Sequence, residues 1–303
     1  MMHRTAVALT ALLFACTLPA ASRDQSDQTR ADETLAQRDA RLVDAEVGAL
    51  TPQQPGRIDL YVVGFAGDGS EDVFRNEVEY LDTLMTQRFD AKDRVVTLIN
   101  HVDSFRKQRP LATLTNLTRA LVGVGKTMDR DEDVLLLFLT SHGTHDHRLY
   151  LELPPLFEAT ITPRQLRTAL DASDIRNRVV VVSACFSGGF VPVLRSPTTL
   201  VMTAASKNRP SFGCGSDSAA TYFGRAWLVE GLNQTTDFVA AFDAAKVRIA
   251  AEEKVEHFLP SQPQINVGAD ILPRLQRWRT EFTPGAAVPY PYAEKPAVSA
   301  TIP

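Results

Sequence analysis

The sequence predicts an α/β protein built on a mainly parallel sheet with helices on both faces. Three observations carry this. Strand-like and helix-like segments alternate through the middle of the chain. Two of the strand segments, Val134–Thr140 and Val179–Ser183, are apolar almost throughout, as strands covered on both faces are. The segments between strands repeat their apolar residues every three or four positions, the period of a helix with one buried face.

Taken in order, Ile58–Phe65 is a β-rich run that ends at Ala66-Gly67-Asp68-Gly69-Ser70. Residues 71–88 read as a helix, with Phe74, Val78, Leu81, Leu84 and Met85 on one face. Val95–Ile99 is a second strand. Residues 111–128 form a second helix, in which Leu114, Leu117, Leu121 and Val124 align. The third strand is Val134–Thr140, and Leu149–Leu153 is half of a small hairpin. Thr162-Pro163 opens a helix that runs to Leu170, an N-cap residue followed by a proline at the first helical position. Val179–Ser183 and Thr199–Thr203 are further strands. Helices follow at 222–233 and 236–254, and Gln264–Val267 closes the sheet. No internal repeat is present.

At 303 residues the chain suits one large domain or two small ones, and two non-globular ends favour one. Residues 1–22 read as a secretory signal peptide: a basic start at Met1–Arg4, an apolar run at Ala6–Thr17 and small residues at Leu18–Ser22. This predicts export to a periplasmic or extracellular location. Leu13-Phe14-Ala15-Cys16 partly resembles a lipoprotein processing site, which makes a lipid anchor at Cys16 the alternative. No other segment is long and apolar enough to span a bilayer. Residues 23–55 read as a linker or pro-segment holding one short helix at 31–49, residues 56–282 as the domain, and residues 283–303 as an irregular, proline-rich tail. A net charge of −4 gives no general attraction to nucleic acid. Nothing in the sequence sets an oligomeric state. Signal cleavage leaves Cys185 and Cys214. Two cysteines in an exported chain invite a disulfide, whereas a catalytic thiol must stay free, and sequence leaves both open.

In open parallel sheets, chemistry collects at the carboxyl ends of the strands. Two such ends stand out: Thr140-Ser141-His142-Gly143 and Ser183-Ala184-Cys185-Phe186-Ser187-Gly188-Gly189. Adjacent strands would bring His142 and Cys185 to one rim. An imidazole beside a thiol favours the thiolate, which can attack an acyl carbon, and the imidazole can then protonate the leaving amine. The developing oxyanion needs positioned N–H donors. Gly143 and the Cys185 N–H are the candidates.

At these residues the chain resembles the legumain family of caspase-like cysteine peptidases. The shared pattern is an apolar strand ending in His-Gly, here His142-Gly143, then about 40 residues later a second ending in Ala-Cys and small residues, here Ala184-Cys185-Phe-Ser-Gly-Gly189. Thr203–Ala205, Ser211–Cys214, Thr221–Gly224 and Ser261–Gln264 continue the likeness, which spans about residues 57–270. The resemblance implies a caspase-like three-layer sandwich with a roughly six-stranded sheet. It implies an endopeptidase acting on peptide or protein substrates with no metal or other cofactor. Carried over by position, Cys185 is the nucleophile, His142 the acid/base and Gly143 an oxyanion donor. Arg75, Ser183, Ser211 and Arg225 fall at substrate-binding positions. Arg75 matches a pocket arginine. Ser183 and Arg225 stand where asparagine-cleaving legumains are acidic, which suits an acidic P1 side chain read by guanidinium groups. Legumains also carry an asparagine just before the pocket arginine, and Val73 stands near that position.

Other readings rest on other residues. His142-Gly-Thr-His145-Asp146-His147 partly matches the His-x-His-x-Asp-His signature of metallo-β-lactamase-type zinc hydrolases, with His101 and His257 as the remaining histidines that could complete a site. Thr144 breaks that pattern at its second position. A catalytically inactive, peptide-binding relative is a further alternative, because fold alone does not prove activity. Ser187 lacks the first glycine of a nucleophile elbow, so a serine hydrolase fits less well.

Overall fold

In a computed structural model of the chain, residues 33–293 are described. The signal-peptide segment and Cys16 lie outside them. A six-stranded sheet has the order β2-β1-β3-β6-β7-β8, with β1 at Leu60–Ala66, β2 at Val95–Ile99, β3 at Val134–Thr140, β6 at Asn177–Ser183, β7 at Thr199–Thr203 and β8 at Gln264–Val267. Every pairing is parallel except that of β8 with β7. A hairpin of β4 (Leu149–Leu153) and β5 (Phe157–Ile161) follows the end of β3. This is the mixed α/β, caspase-like arrangement.

Pleating divides the core between two helical layers. In β3, Leu136 and Phe138 point to one face and Leu135, Leu137 and Leu139 to the other. The first face is covered by α2 (Asp72–Arg88), α5 (Phe238–Val255) and α6 (Ile271–Thr280) through Phe74, Leu81, Phe242 and Trp278. The second is covered by α1 (Leu35–Gly48), α3 (Leu114–Thr127) and α4 (Pro163–Ala172) through Val43, Leu121 and Leu166. Each fully buried side chain of this size contributes about 1.5–3 kcal/mol.

Local chemistry sets the boundaries. Thr113 caps α3 by accepting from the Asn116 N–H. Thr162 and Gln165 form a reciprocal capping box on α4, with Pro163 in its first turn. The compact unit runs from Arg38 onward, so most of α1 packs with the sheet although it falls in the stretch read as linker or pro-segment. There Arg38 donates to the Ser104 and Arg109 carbonyls, and Asn116 donates to Asp39. Residues 283–293 form no helix or strand.

Two elements differ from the sequence reading. The helix expected over 222–233 is present but wound as a π-helix over Gly224–Gly231, ending in a short α-helix at Leu232–Gln234. Its wider winding seats Trp227 in stacks with Phe138 and Phe223, each at 6.1 Å. Helix α6 was not foreseen. Its buried residues are only Ile271, Leu275 and Trp278, set among arginines, and its Pro273 sits in the first turn where proline is tolerated.

Candidate active site

The ends of β3 and β6 define the site. Thr140 and Ser183, their last residues, stand opposite each other in register. His142 and Cys185 each lie two residues further on, both half-buried. The Ser141 N–H donates to the Ser183 carbonyl at 3.2 Å, and the Tyr150 N–H to the His142 carbonyl at 2.9 Å. Gly143 packs directly on Cys185: a β-carbon there would lie 2.0 Å from the Cys185 carbonyl oxygen. The two predicted strand ends therefore meet backbone to backbone. The His142 ring stands edge-on to Phe74, with centroids 5.1 Å apart at 80°. Val73, near the family's asparagine position, is buried, so a ring contact from the next residue supports His142 instead.

The thiol of Cys185 faces Ser211, whose carbonyl accepts from it at 3.4 Å and whose other polar groups donate. The Ser211 N–H lies 3.2 Å and the Ser211 hydroxyl 3.6 Å from Sγ. The Cys214 thiol also hydrogen-bonds to it, and both cysteines are free. The Cys214 hydrogen bond is the main cause holding Cys185 below the ordinary thiol range. Burial opposes it, and Ser211 and the charge of His142 assist. Cys214 is pushed upward by the same contact. Of the two possibilities the sequence leaves open for Cys185 and Cys214, the free thiols are the one found, with no disulfide between them.

A pH prediction follows. Because the folded-state thiol lies low, the thiolate should predominate at lower pH than in an ordinary cysteine, whose pKa is about 8.5. The rate of Cys185 alkylation by iodoacetamide should inflect below that value. Cys214→Ala removes the largest contribution, so the inflection should move up and the rate at pH 7 should fall roughly tenfold per unit moved. An unchanged inflection in Cys214→Ala would remove Cys214 from this role.

The turn after the thiol is held in a costly conformation. Phe186 has φ of 54°, a left-handed geometry that costs a non-glycine residue about 1–2 kcal/mol. Its N–H donates to the Arg209 carbonyl, while its own carbonyl meets His147 Nδ1 at 3.1 Å and accepts from Gly189. These bonds aim Cys185 outward from the end of β6.

The predicted substrate-binding residues are placed as follows. Ser211 touches the Cys185 thiol directly. Ser183 is buried, its hydroxyl 3.3 Å from that of Thr221. Arg75 is largely covered: it donates to Asn76, pairs with Asp72 at 3.2 Å and Asp103 at 3.5 Å, and lies 3.0 Å from His101 Nε2. Arg225 is half-buried, in the π-helix, and its charge acts on the carboxyl of Glu77. Glu77 was not foreseen. It sits in α2 beneath the site, fully buried.

The zinc-signature histidines serve separate contacts. His145 lies over the Phe186 ring at 4.0 Å, and His147 is engaged with the Phe186 carbonyl. Among the described residues no group of three or more His, Cys, Asp or Glu side chains could hold a metal ion, nor is any helix long and apolar enough to cross a membrane.

The peptidase C13 family model matches residues 114–274, over half of the chain. That span includes His142, Gly143 and Cys185 but begins after Arg75 and Glu77. No curated protein matches the chain.

Proposed function

The chain belongs to the peptidase C13 family, the legumain family of cysteine peptidases, and from that premise we propose that it is an endopeptidase in which Cys185 is the nucleophile and His142 the general acid/base. One observation carries the reading: a half-buried thiol, held below the ordinary range by directed donors, shares a strand-end rim with a histidine. The thiolate attacks the scissile carbonyl, forming a C–S bond and a tetrahedral oxyanion. The N–H groups of Gly143 and Cys185 are the proposed donors to that oxygen. His142 then protonates the departing amine as the C–N bond breaks. Water, giving a proton to His142, hydrolyses the thioester and restores the thiol.

The same reading extends to specificity and place. Ser183 and Arg225 stand where asparagine-cleaving relatives are acidic, which favours aspartate or glutamate over asparagine at P1. The residue pattern of 1–22 supports action outside the cytoplasm.

The test is turnover of residues 23–303 on fluorogenic peptides varied at P1, with iodoacetamide and with a chelator. Cleavage after Asp or Glu, blocked by iodoacetamide and indifferent to the chelator, is expected. Cleavage after Asn alone would overturn the specificity. Turnover that resists iodoacetamide and stops with chelator would overturn the mechanism.

A further inference from the structure

Glu77 takes no part in the acyl transfer just described, yet its carboxyl is completely removed from water. A buried carboxylate persists only where hydrogen bonds or charge replace its hydration. Three donors do so here. Thr140 Oγ1 donates to Oε2 at 2.6 Å, and the Thr221 N–H and hydroxyl both donate to Oε1 at 2.7 Å. The charge of Arg225 adds to them, while burial pushes the carboxyl above its ordinary range.

The positions of these donors matter more than their number. Thr140 ends β3, two residues before His142. The Thr221 hydroxyl meets that of Ser183, which ends β6 two residues before Cys185. It also accepts from the Gly224 N–H at 2.9 Å, next to Arg225. Gly224 itself lies so close that a β-carbon there would stand 2.0 Å from Oε1. One carboxylate thus joins both strand ends and the segment 221–225. An adjacent residue reinforces it, since Asn76 Nδ2 donates to the Ala219 carbonyl at 3.2 Å. A buried carboxylate is a poor device for stability alone, because an apolar residue of similar size often serves as well.

We infer that Glu77 is a positioning residue that fixes the Cys185–His142 pair and the 221–225 segment relative to each other. This rests on the peptidase reading of the same site.

The experiment compares wild type with Glu77→Gln, Glu77→Ala, Thr221→Val and Thr221→Ser. Turnover is normalised to active sites titrated with an irreversible peptidyl inhibitor, so that loss of folded protein is not read as loss of catalysis. The pH profile of Cys185 alkylation by iodoacetamide is recorded alongside. Small misplacements of catalytic groups cost up to about a hundredfold, so kcat should fall about 10- to 100-fold in Glu77→Gln and in Thr221→Val, with KM changing less. Thr221→Ser keeps both donors and should rescue turnover to within about twofold of wild type, as one intact bond pattern predicts. Alkylation should inflect at a pH different from wild type in Glu77→Gln, because moving Cys185 relative to its donors changes what stabilises the thiolate. If Glu77→Ala does not fold, the Gln and Val variants decide. Normalised kcat and alkylation profiles that match wild type, with only thermal stability reduced, would overturn the proposal. An inactive wild type would count against the peptidase reading, and the alkylation profile would still judge Glu77.

Discussion

Cys185→Ala should lower turnover by on the order of 10⁴-fold or more, with the fold intact. The thiol is the group proposed to form the covalent bond, and no neighbouring side chain offers a substitute at that position. Ser211 and Cys214 flank Sγ rather than occupy its place at the end of β6. His142→Ala should cost nearly as much, because the amine would leave without a proton donor. The double variant should be no worse than Cys185→Ala alone, since the two act as one unit. Stability should change by less than about 1 kcal/mol, because the lost atom is small and the Ser211 N–H sits in a half-buried region that water can reach. The measurement is kcat/KM on the preferred fluorogenic peptide, with thermal melting as the control for folding. Residual activity above about one tenth of wild type would assign the chemistry to another group, and additive losses in the double variant would separate the two residues.

The sheet was legible because the Val134–Leu139 run of β3 and the Val179–Val182 run of β6 are continuously apolar, and only a strand covered on both faces needs that. The same logic singles out His142, Gly143 and Cys185 as candidates, since active groups gather where such strands end. What stayed hidden depends on contacts distant in sequence. Glu77 reads as one acidic residue in an amphipathic helix, and its burial follows only when Thr140 and Thr221, 63 and 144 residues away, close around it. Arg75 has two partners close in sequence, Asp72 and Asn76, whereas Asp103 arrives from beyond β2. The Cys214 contact is of this kind too, because cysteine spacing says nothing about whether two thiols meet. Helix α6 escaped for a different reason: its three buried residues are matched by three arginines, so its apolar stripe is too thin to read.

Gly143→Ala should reduce kcat by about a hundred- to a thousandfold while changing KM little. The constraint is space rather than backbone conformation, since the φ of Gly143 lies outside the left-handed region. A β-carbon would lie 2.0 Å from the carbonyl oxygen of Cys185, 2.9 Å from its carbon and 3.1 Å from its nitrogen. All three are backbone atoms, so no side-chain rotation relieves the clash, and the two strand ends must part. Parting them separates the two N–H groups proposed to meet the oxyanion, which exists fully only in the transition state, so the loss belongs in kcat. Gly268→Ala is the matched control. Its β-carbon would lie 2.2 Å from the Pro197 carbonyl oxygen, a comparable backbone clash, but beside the start of β7, at the opposite end of the sheet from Cys185. Both variants should melt at lower temperature, and only Gly143→Ala should lose turnover per titrated active site. A specific activity of Gly143→Ala equal to that of wild type would mean that the Gly143 N–H is not an oxyanion donor. An equal loss in both would mean that strain anywhere in the sheet reaches the catalytic pair, and the site would then depend on the whole fold rather than on the contact between two strand ends.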